Sequence, residues 1–256
     1  MKKTTFLVTL LLIFSGCAVF KTSQPKKETV KILSYNVRNA RGMDDVTDFD
    51  RVANVIRRIN ADCVALQELD SATQRSNGRV VIDELAKRTE MYASYNKSID
   101  YQGGGYGIGI LTKEKPLRKE AIALPGSEEQ RSLLIVEMPD YVICCTHWSL
   151  RQPDRLASVE KINEFLQKYT SKPVFLAGDL NATPESEEMQ KLAETWTVLN
   201  DVSQHTIPVN NPSRTIDYIL KKKNSAINFQ VTETKVEDEP LASDHLPVWV
   251  TVQLKK

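Results

Sequence analysis

The sequence predicts an α/β protein in which two mixed sheets stack on each other with helices outside. Three observations lead there. Nine apolar runs have strand character, and several are continuous, as in strands buried on both faces. Helical patterns separate some of these runs. Elsewhere strand follows strand directly, which a simple doubly wound sheet does not allow.

The first seventeen residues stand outside this pattern. Lys2 and Lys3 precede the short apolar run "FLVTLLLIFSGC", the order of a secretory signal. The run is shorter than the ~20 residues of an ordinary membrane span. "FSGC" resembles a bacterial lipobox, with Phe14 where Leu is usual, so cleavage before Cys17 and lipidation of Cys17 are expected. Residues 18–29 then read as a polar tether, and residues 30–256 as one domain without an internal linker or repeat. The protein is expected to be exported, monomeric and membrane-anchored, on the periplasmic or cell-surface side.

Within the domain, "TVKILSYNV" opens as a strand. "DFDRVANVIRRIN" is helical, with Phe49, Val52, Ile56 and Ile59 on one face and Asp48 as cap. "CVALQE" is a strand and "VVIDELAKRT" a short helix. "GGGYGIG" lacks the Lys-Ser/Thr ending of a phosphate loop and reads as a turn feeding the strand "GYGIGILT". "SLLIVEM" and "YVICCTHW" follow as strands. Cys144 and Cys145 would point to opposite faces of the second, and Cys63 lies in another apolar run, so core packing is expected of all three. "DRLASVEKINEFLQKY" is a helix with Leu156, Val159, Phe165, Leu166 and Tyr169 on one face. After the strand "PVFLAGDL" comes the helical "PESEEMQKLAETW", with Pro184 suited to its first turn. "RTIDYIL", "INFQVTET" and "LPVWVTVQL" complete the strands.

Chemistry is sought at strand ends, where loops at one sheet edge share a crevice. "ILSYNV" carries Asn36, "VALQELD" carries Gln67, Glu68 and Asp70, and "CCTHW" carries His147. "FLAGDLNATP" carries Asp179 and Asn181, "RTIDYIL" carries Asp217, and "ASDHLPV" carries Asp244 and His245. Each alone has a bland explanation, such as a turn, a solvated strand end or a satisfied core histidine. Six coincidences on six apolar runs are much less probable than one. Carboxylates such as Glu68 and Asp244 suit Mg²⁺ or Mn²⁺. Asp179 could orient or deprotonate a water, and Asn181 could offer its amide to a phosphoryl oxygen. His147 and His245 can donate to developing negative charge, with Asp217 fixing the tautomer of His245. No nucleophile elbow or Walker loop competes with this reading.

In order, "LSYNV", "LQE", "THW", "GDLNATP", "IDYIL" and "SDHLPV" resemble the endonuclease/exonuclease/phosphatase superfamily, from about Val30 to Leu254. The resemblance implies a DNase I-like, four-layered α/β/β/α sandwich and a metal-dependent phosphoester hydrolase. It implies Asn36 and Glu68 as the metal-proximal pair, Glu68 being a direct ligand, and Asp244 as a second acidic metal position. It implies Asp179 as the acid that orients the attacking water, Asn181 and His147 as phosphate contacts, and Asp217–His245 as the Asp-His pair. Arg131 resembles an arginine that some members aim at the phosphate. Where many bacterial relatives carry Asn after Tyr-Gly, this chain has Ile108, so a polar contact near the leaving group is expected to be missing.

The full chain has net charge +1; without Lys2 and Lys3 it has 32 basic and 33 acidic residues, or −1. This is poor for gripping duplex DNA. The cluster Lys221 to Lys223 falls roughly 13 Å along its strand from Asp217, and Arg57-Arg58 falls on a helix. Arg75, Arg79 and Arg151 are the loop residues from which a local groove would be built. The expected substrate is therefore a small or lipid-linked phosphoester. A nuclease acting on DNA or RNA, and a non-catalytic module that holds a phosphorylated ligand, are the alternatives.

Overall fold

The computed structural model describes residues 28–223 and 228–255. The expected signal segment with Cys17, and the tether as far as residue 27, lie outside the described residues. No described helix is long and apolar enough to cross a membrane.

The described residues form twelve strands and four α-helices. β1 (Thr29–Asn36) leads through a 3-10 turn to α1 (Phe49–Ile59), β2 (Cys63–Ser71) and α2 (Val81–Thr89). β3 (Tyr92–Tyr101) and β4 (Gly104–Thr112) make a hairpin, followed by β5 (Arg118–Leu124), β6 (Arg131–Glu137) and β7 (Val142–His147). Then come α3 (Gln152–Phe165), β8 (Val174–Asp179), α4 (Glu187–Thr195) and β9 (Trp196–Val198). β10 (Asp217–Lys222), β11 (Asn228–Val236) and β12 (Val248–Lys255) complete the fold.

Two six-stranded sheets result, ordered β11-β12-β1-β2-β4-β3 and β5-β6-β7-β8-β10-β9. Each is mixed, with one parallel pair at its centre: β1 with β2, and β7 with β8. Three apolar clusters define four layers. Val52, Ile56 and Leu85 of the first helix pair meet Leu33, Val64 and Leu66 of the first sheet. Ile32, Ala65 and Val250 meet Ile143, Cys145 and Ile219 between the sheets. Cys144, Leu176 and Tyr218 meet Val159, Ile162 and Leu192 beneath the second helix pair. Adjacent Cys144 and Cys145 thus fill opposite cores, as strand alternation requires. The expected α/β/β/α sandwich is what the chain adopts.

Local details follow from the residues. Asp48 accepts from the Arg51 backbone N–H at 2.9 Å and starts α1. Gln102 and Gly103, both at positive φ, turn the β3–β4 hairpin within the glycine-rich run. Several sequence expectations need correction. β1 begins at Thr29, inside the expected tether. Pro184 precedes α4, whose cap is Ser186, so it is not in the first turn. β3, β5 and β9 were not expected as strands. All three are sheet edges with mixed burial, so their sequences carry no continuous apolar run.

Candidate active site

The candidate site lies at the carboxyl end of both parallel pairs. On β8, Asp179 stands in register with His147 of β7 on one side and Asp217 of β10 on the other. Asn36 is the last residue of β1, paired in register with Gln67 of β2. His245 lies in the loop leading into β12, which runs antiparallel to β1. Six apolar runs therefore deliver their polar ends to one edge because the layers align them there.

Asp179 is the hub. Its Oδ2 lies 3.5 Å from His147 Nε2 and 3.7 Å from His245 Nε2. The same oxygen accepts from Asn36 Nδ2 at 3.2 Å. Its Oδ1 accepts from the backbone N–H of Asn181 at 2.9 Å. Asn181 sits at φ 49°, a left-handed turn that Asn tolerates. Its side-chain amide donates one N–H to the Trp148 carbonyl at 2.9 Å, which leaves the second N–H of the amide.

Behind this hub, His245 Nδ1 meets Asp217 Oδ2 at 2.9 Å, within the expected reach. Thr206 Oγ1 donates to the same Asp217 oxygen at 2.5 Å. Burial alone would lower the His245 pKa, but the charges of Asp217 and Asp179 and the Asp217 hydrogen bond overcome it and raise the pKa to about 10. His147 differs: burial dominates the opposing charge of Asp179 and lowers it to about 4. Two histidines a few ångströms from one carboxylate are thus driven apart by burial and by the second acid, which only His245 possesses.

Glu68 reaches the site through a bulge. The β2–β4 register shifts between Leu66 and Leu69, and Glu68 adopts φ 60°. Its Oε1 accepts from Asn36 Nδ2 at 2.9 Å. Burial pushes the Glu68 carboxyl above its ordinary range; the Asn36 hydrogen bond opposes this, while Asp244 and Asp179 add to it. Glu68 and Asp244 offer carboxylate oxygens, a donor set that a hard divalent cation fits. Asn36 is placed differently from a ligand. Its amide nitrogen bridges Glu68 and Asp179, and its oxygen accepts the Arg38 backbone N–H at 3.1 Å. It orients carboxylates instead of presenting an oxygen. Asp179, Asp217 and His245 also bring ligand-type atoms within 4.8 Å of one another. The Asp217–His245 contact is better described as a proton-bearing hydrogen bond, because Mg²⁺ prefers oxygen ligands.

The cleft holds about 370 Å³ and is lined by Glu68, Arg131, His147, Asp179, Asn181 and His245, among others. Asp244 does not line it, although its charge is felt by both Glu68 and His245. Arg131 is 6% exposed and held by Glu129 at 3.1 Å and Glu128 at 3.7 Å. Its buried Nε has no hydrogen-bond partner. Tyr106, Glu129 and Arg214 also line the cleft, and Thr206 supports Asp217, yet sequence reasoning singled out none of them. Tyr106 alone carried a signal, as an aromatic residue at the mouth of the glycine-rich strand. Ile108 packs in the core between the sheets.

The basic clusters serve the scaffold. Lys221 is buried, with Nζ 4.6 Å from the Phe229 ring centroid. Lys222 and Lys223 donate to the carbonyls of Leu166 and Ala193 near the ends of α3 and α4. Arg57 donates to the Arg88 carbonyl, and Arg58 pairs with Glu239 at 3.1 Å.

This sandwich, with acids and histidines converging at one sheet edge, is the arrangement on which the family comparison bears. Residues 33–245 match the Endonuclease/Exonuclease/phosphatase family, and the chain belongs to it. A curated relative, a 5'-tyrosyl-DNA phosphodiesterase of Caenorhabditis elegans, is 26% identical over 183 residues. That alignment covers 67% of this chain and 48% of the relative, so the chain spans about half of the relative's length. An endonuclease/exonuclease/phosphatase from Beutenbergia cavernae superposes with a TM-score of 0.74 at 19% identity, covering 90% of this chain and 72% of that one. A mannosyl-6-phosphatase of Bacteroides thetaiotaomicron superposes with a TM-score of 0.68 at 15% identity, covering 89% and 100%. These two likenesses are of fold.

Proposed function

We propose that the protein is a divalent-metal-dependent phosphoester hydrolase in which a water oriented by Asp179 attacks phosphorus. The observation that carries this is the position of Asp179 Oδ2, within 3.7 Å of Asn36, His147 and His245. In this reading Glu68 and Asp244 hold Mg²⁺ or Mn²⁺, and Asn36 keeps Glu68 in place. When bound, the cation would polarise the phosphoryl group and offset charge on its oxygens. Asp179 takes the hydrogen bond, and then the proton, of the attacking water. His245, locked by Asp217, donates from Nε2 to a phosphoryl oxygen, and its hydrogen bond strengthens as negative charge develops. His147, the second amide N–H of Asn181 and the buried Arg131 hold the remaining oxygens. Because His245 already bears the proton shared with Asp217, Asp179 is the better candidate for the base.

A panel of phosphomonoesters and phosphodiesters, run with Mg²⁺, with Mn²⁺ and with EDTA, tests the reading. Hydrolysis that EDTA stops and Mg²⁺ restores is the expected result. Binding of phosphorylated ligands without turnover would instead make the fold a non-catalytic module. A nuclease reading is favoured by the tyrosyl-DNA phosphodiesterase relative. It is opposed by the near-neutral charge and by the use of Lys221, Lys222 and Lys223 in the scaffold.

Small phosphoesters, or esters linked to lipid, are the favoured substrates, acted on by an exported monomer tethered through a lipidated Cys17. Replacing Cys17 with Ser should move the folded protein from the membrane fraction to the soluble one. Wild-type protein that is already soluble after export would remove the tether from the reading.

A further inference from the structure

Asp70 stood out in the sequence as an acid on an apolar run, yet it takes no part in the cleft. It is fully buried on β2, two residues beyond Glu68. Arg75 grips it with two hydrogen bonds, from Nε at 2.6 Å and from NH2 at 2.7 Å, and Thr73 Oγ1 donates to it at 2.8 Å. A bidentate pair of this kind fixes the guanidinium plane. Thus held, the guanidinium carbon lies 4.6 Å from the ring centroid of Tyr101 and 5.6 Å from that of Tyr106. The two rings are 6.0 Å apart and tilted by 52°. Register supports them, since Tyr106 of β4 pairs with Ile99 of β3, and Tyr101 with Gly104.

These groups enclose a second hollow of about 150 Å³, lined by Arg75, Ile99, Tyr101, Tyr106, Glu68 and Glu129. It shares Glu68, Tyr106 and Glu129 with the cleft around Asp179. An ester held at Asp179 can therefore place one substituent in this hollow. We infer that the side pocket receives the alcohol half of the ester and selects a single six-membered ring over a linear chain. The inference rests on the phosphoester-hydrolase reading above and adds the shape of its leaving group.

Three physical features carry it. The volume suits one ring, for a cavity of about 150 Å³ accepts benzene. The walls are planes, two phenols and a guanidinium, which gain most from contact with the face of a ring. They are also rigid, so a ring ordered before binding loses less entropy there than a flexible chain of equal size. The carboxylate of Glu129 at the shared rim is suited to accept from hydroxyls on such a ring.

The test compares cyclohexylmethyl with n-heptyl phosphate, as monoesters and as methyl diesters, so that both leaving groups are primary alcohols of seven carbons. A preference for the ring of about tenfold or more in kcat/KM is expected, because a ring ordered before binding loses less freedom against these walls than a chain of equal size. Tyr101→Ala should reduce that ratio to near unity. Arg75→Gln, which keeps a donor for Asp70, should reduce it independently if Tyr101→Ala folds poorly. A cyclitol phosphate run beside cyclohexyl phosphate tells a hydroxylated ring from a hydrocarbon one. Equal turnover of ring and chain by the wild type, or a ring preference that survives both variants, overturns the inference and leaves the hydrolase reading standing. No turnover of any ester with metal present overturns the hydrolase reading itself.

Discussion

At the scale of single residues, Asp179 divides its work between two oxygens. Oδ1 is fixed by the Asn181 N–H, and Oδ2 faces the two histidines and Asn36. Asp179→Asn keeps the shape and removes the charge, whereas His245→Ala removes the donor that Asp217 aligns. Each should lower kcat by roughly 10²–10⁴-fold with an unchanged circular dichroism spectrum. Near-normal turnover by either variant with Mg²⁺ would show that its role is misassigned. His147 makes a separate, thermodynamic prediction. Burial lowers it from an ordinary 6.5 to about 4. Between those values the unfolded chain binds a proton that the folded protein refuses. Stability from this group is thus fully present above pH 6.5 and is lost as pH falls towards 4. The loss amounts to roughly 3 kcal/mol. His147→Gln should flatten the fall in Tm over that window, and an unaltered slope would contradict the assignment.

At the scale of elements, the sequence was most readable where strands are buried on both faces. β1, β7 and β8 announce themselves as continuous apolar runs, and their polar last residues, Asn36, His147 and Asp179, announced the site. Where one face meets solvent the signal fades. β3 has one buried residue, Ser94, among half-buried and exposed positions that include Asn96, Lys97 and Asp100, and it passed unnoticed. Thr206 and Glu129 escaped for another reason, because they lie in loops whose position depends on contacts distant in sequence. The bulge at Glu68 was equally hidden, since nothing in "LQELD" requires positive φ. Gly178 shows how tightly β7 and β8 fit beside the site. A Cβ there would meet the Thr146 carbonyl at 2.1 Å. Gly178→Ala should cost about 1–3 kcal/mol and displace Asp179, lowering both Tm and turnover. A variant with unchanged Tm would mean that the two strands part easily.

At the scale of the whole molecule, charge decides between partners. A net charge of +1, with Lys221, Lys222 and Lys223 spent on the core and on helix ends, offers little counterion release to a duplex. Plasmid nicking at physiological salt should be slow relative to turnover of small phosphoesters. Efficient metal-dependent nicking would establish the nuclease reading in its place. Arg75, one of the loop residues that could have built a basic groove, is neutralised by Asp70, and Arg79 pairs with Glu84 at 2.5 Å.

The direction of β1 has a consequence for geography. Thr29 begins the strand and Asn36 ends it in the site, seven steps of about 3.3 Å, or roughly 23 Å away. The polypeptide arriving from the amino terminus thus joins the sandwich at the end opposite the cleft. A domain moored through Cys17 would hold its mouth towards the open water and its back to the bilayer. Esters released into the surrounding fluid would reach Asp179 without any reorientation. A lipid of the same leaflet would reach the cleft once the domain had turned on its mooring.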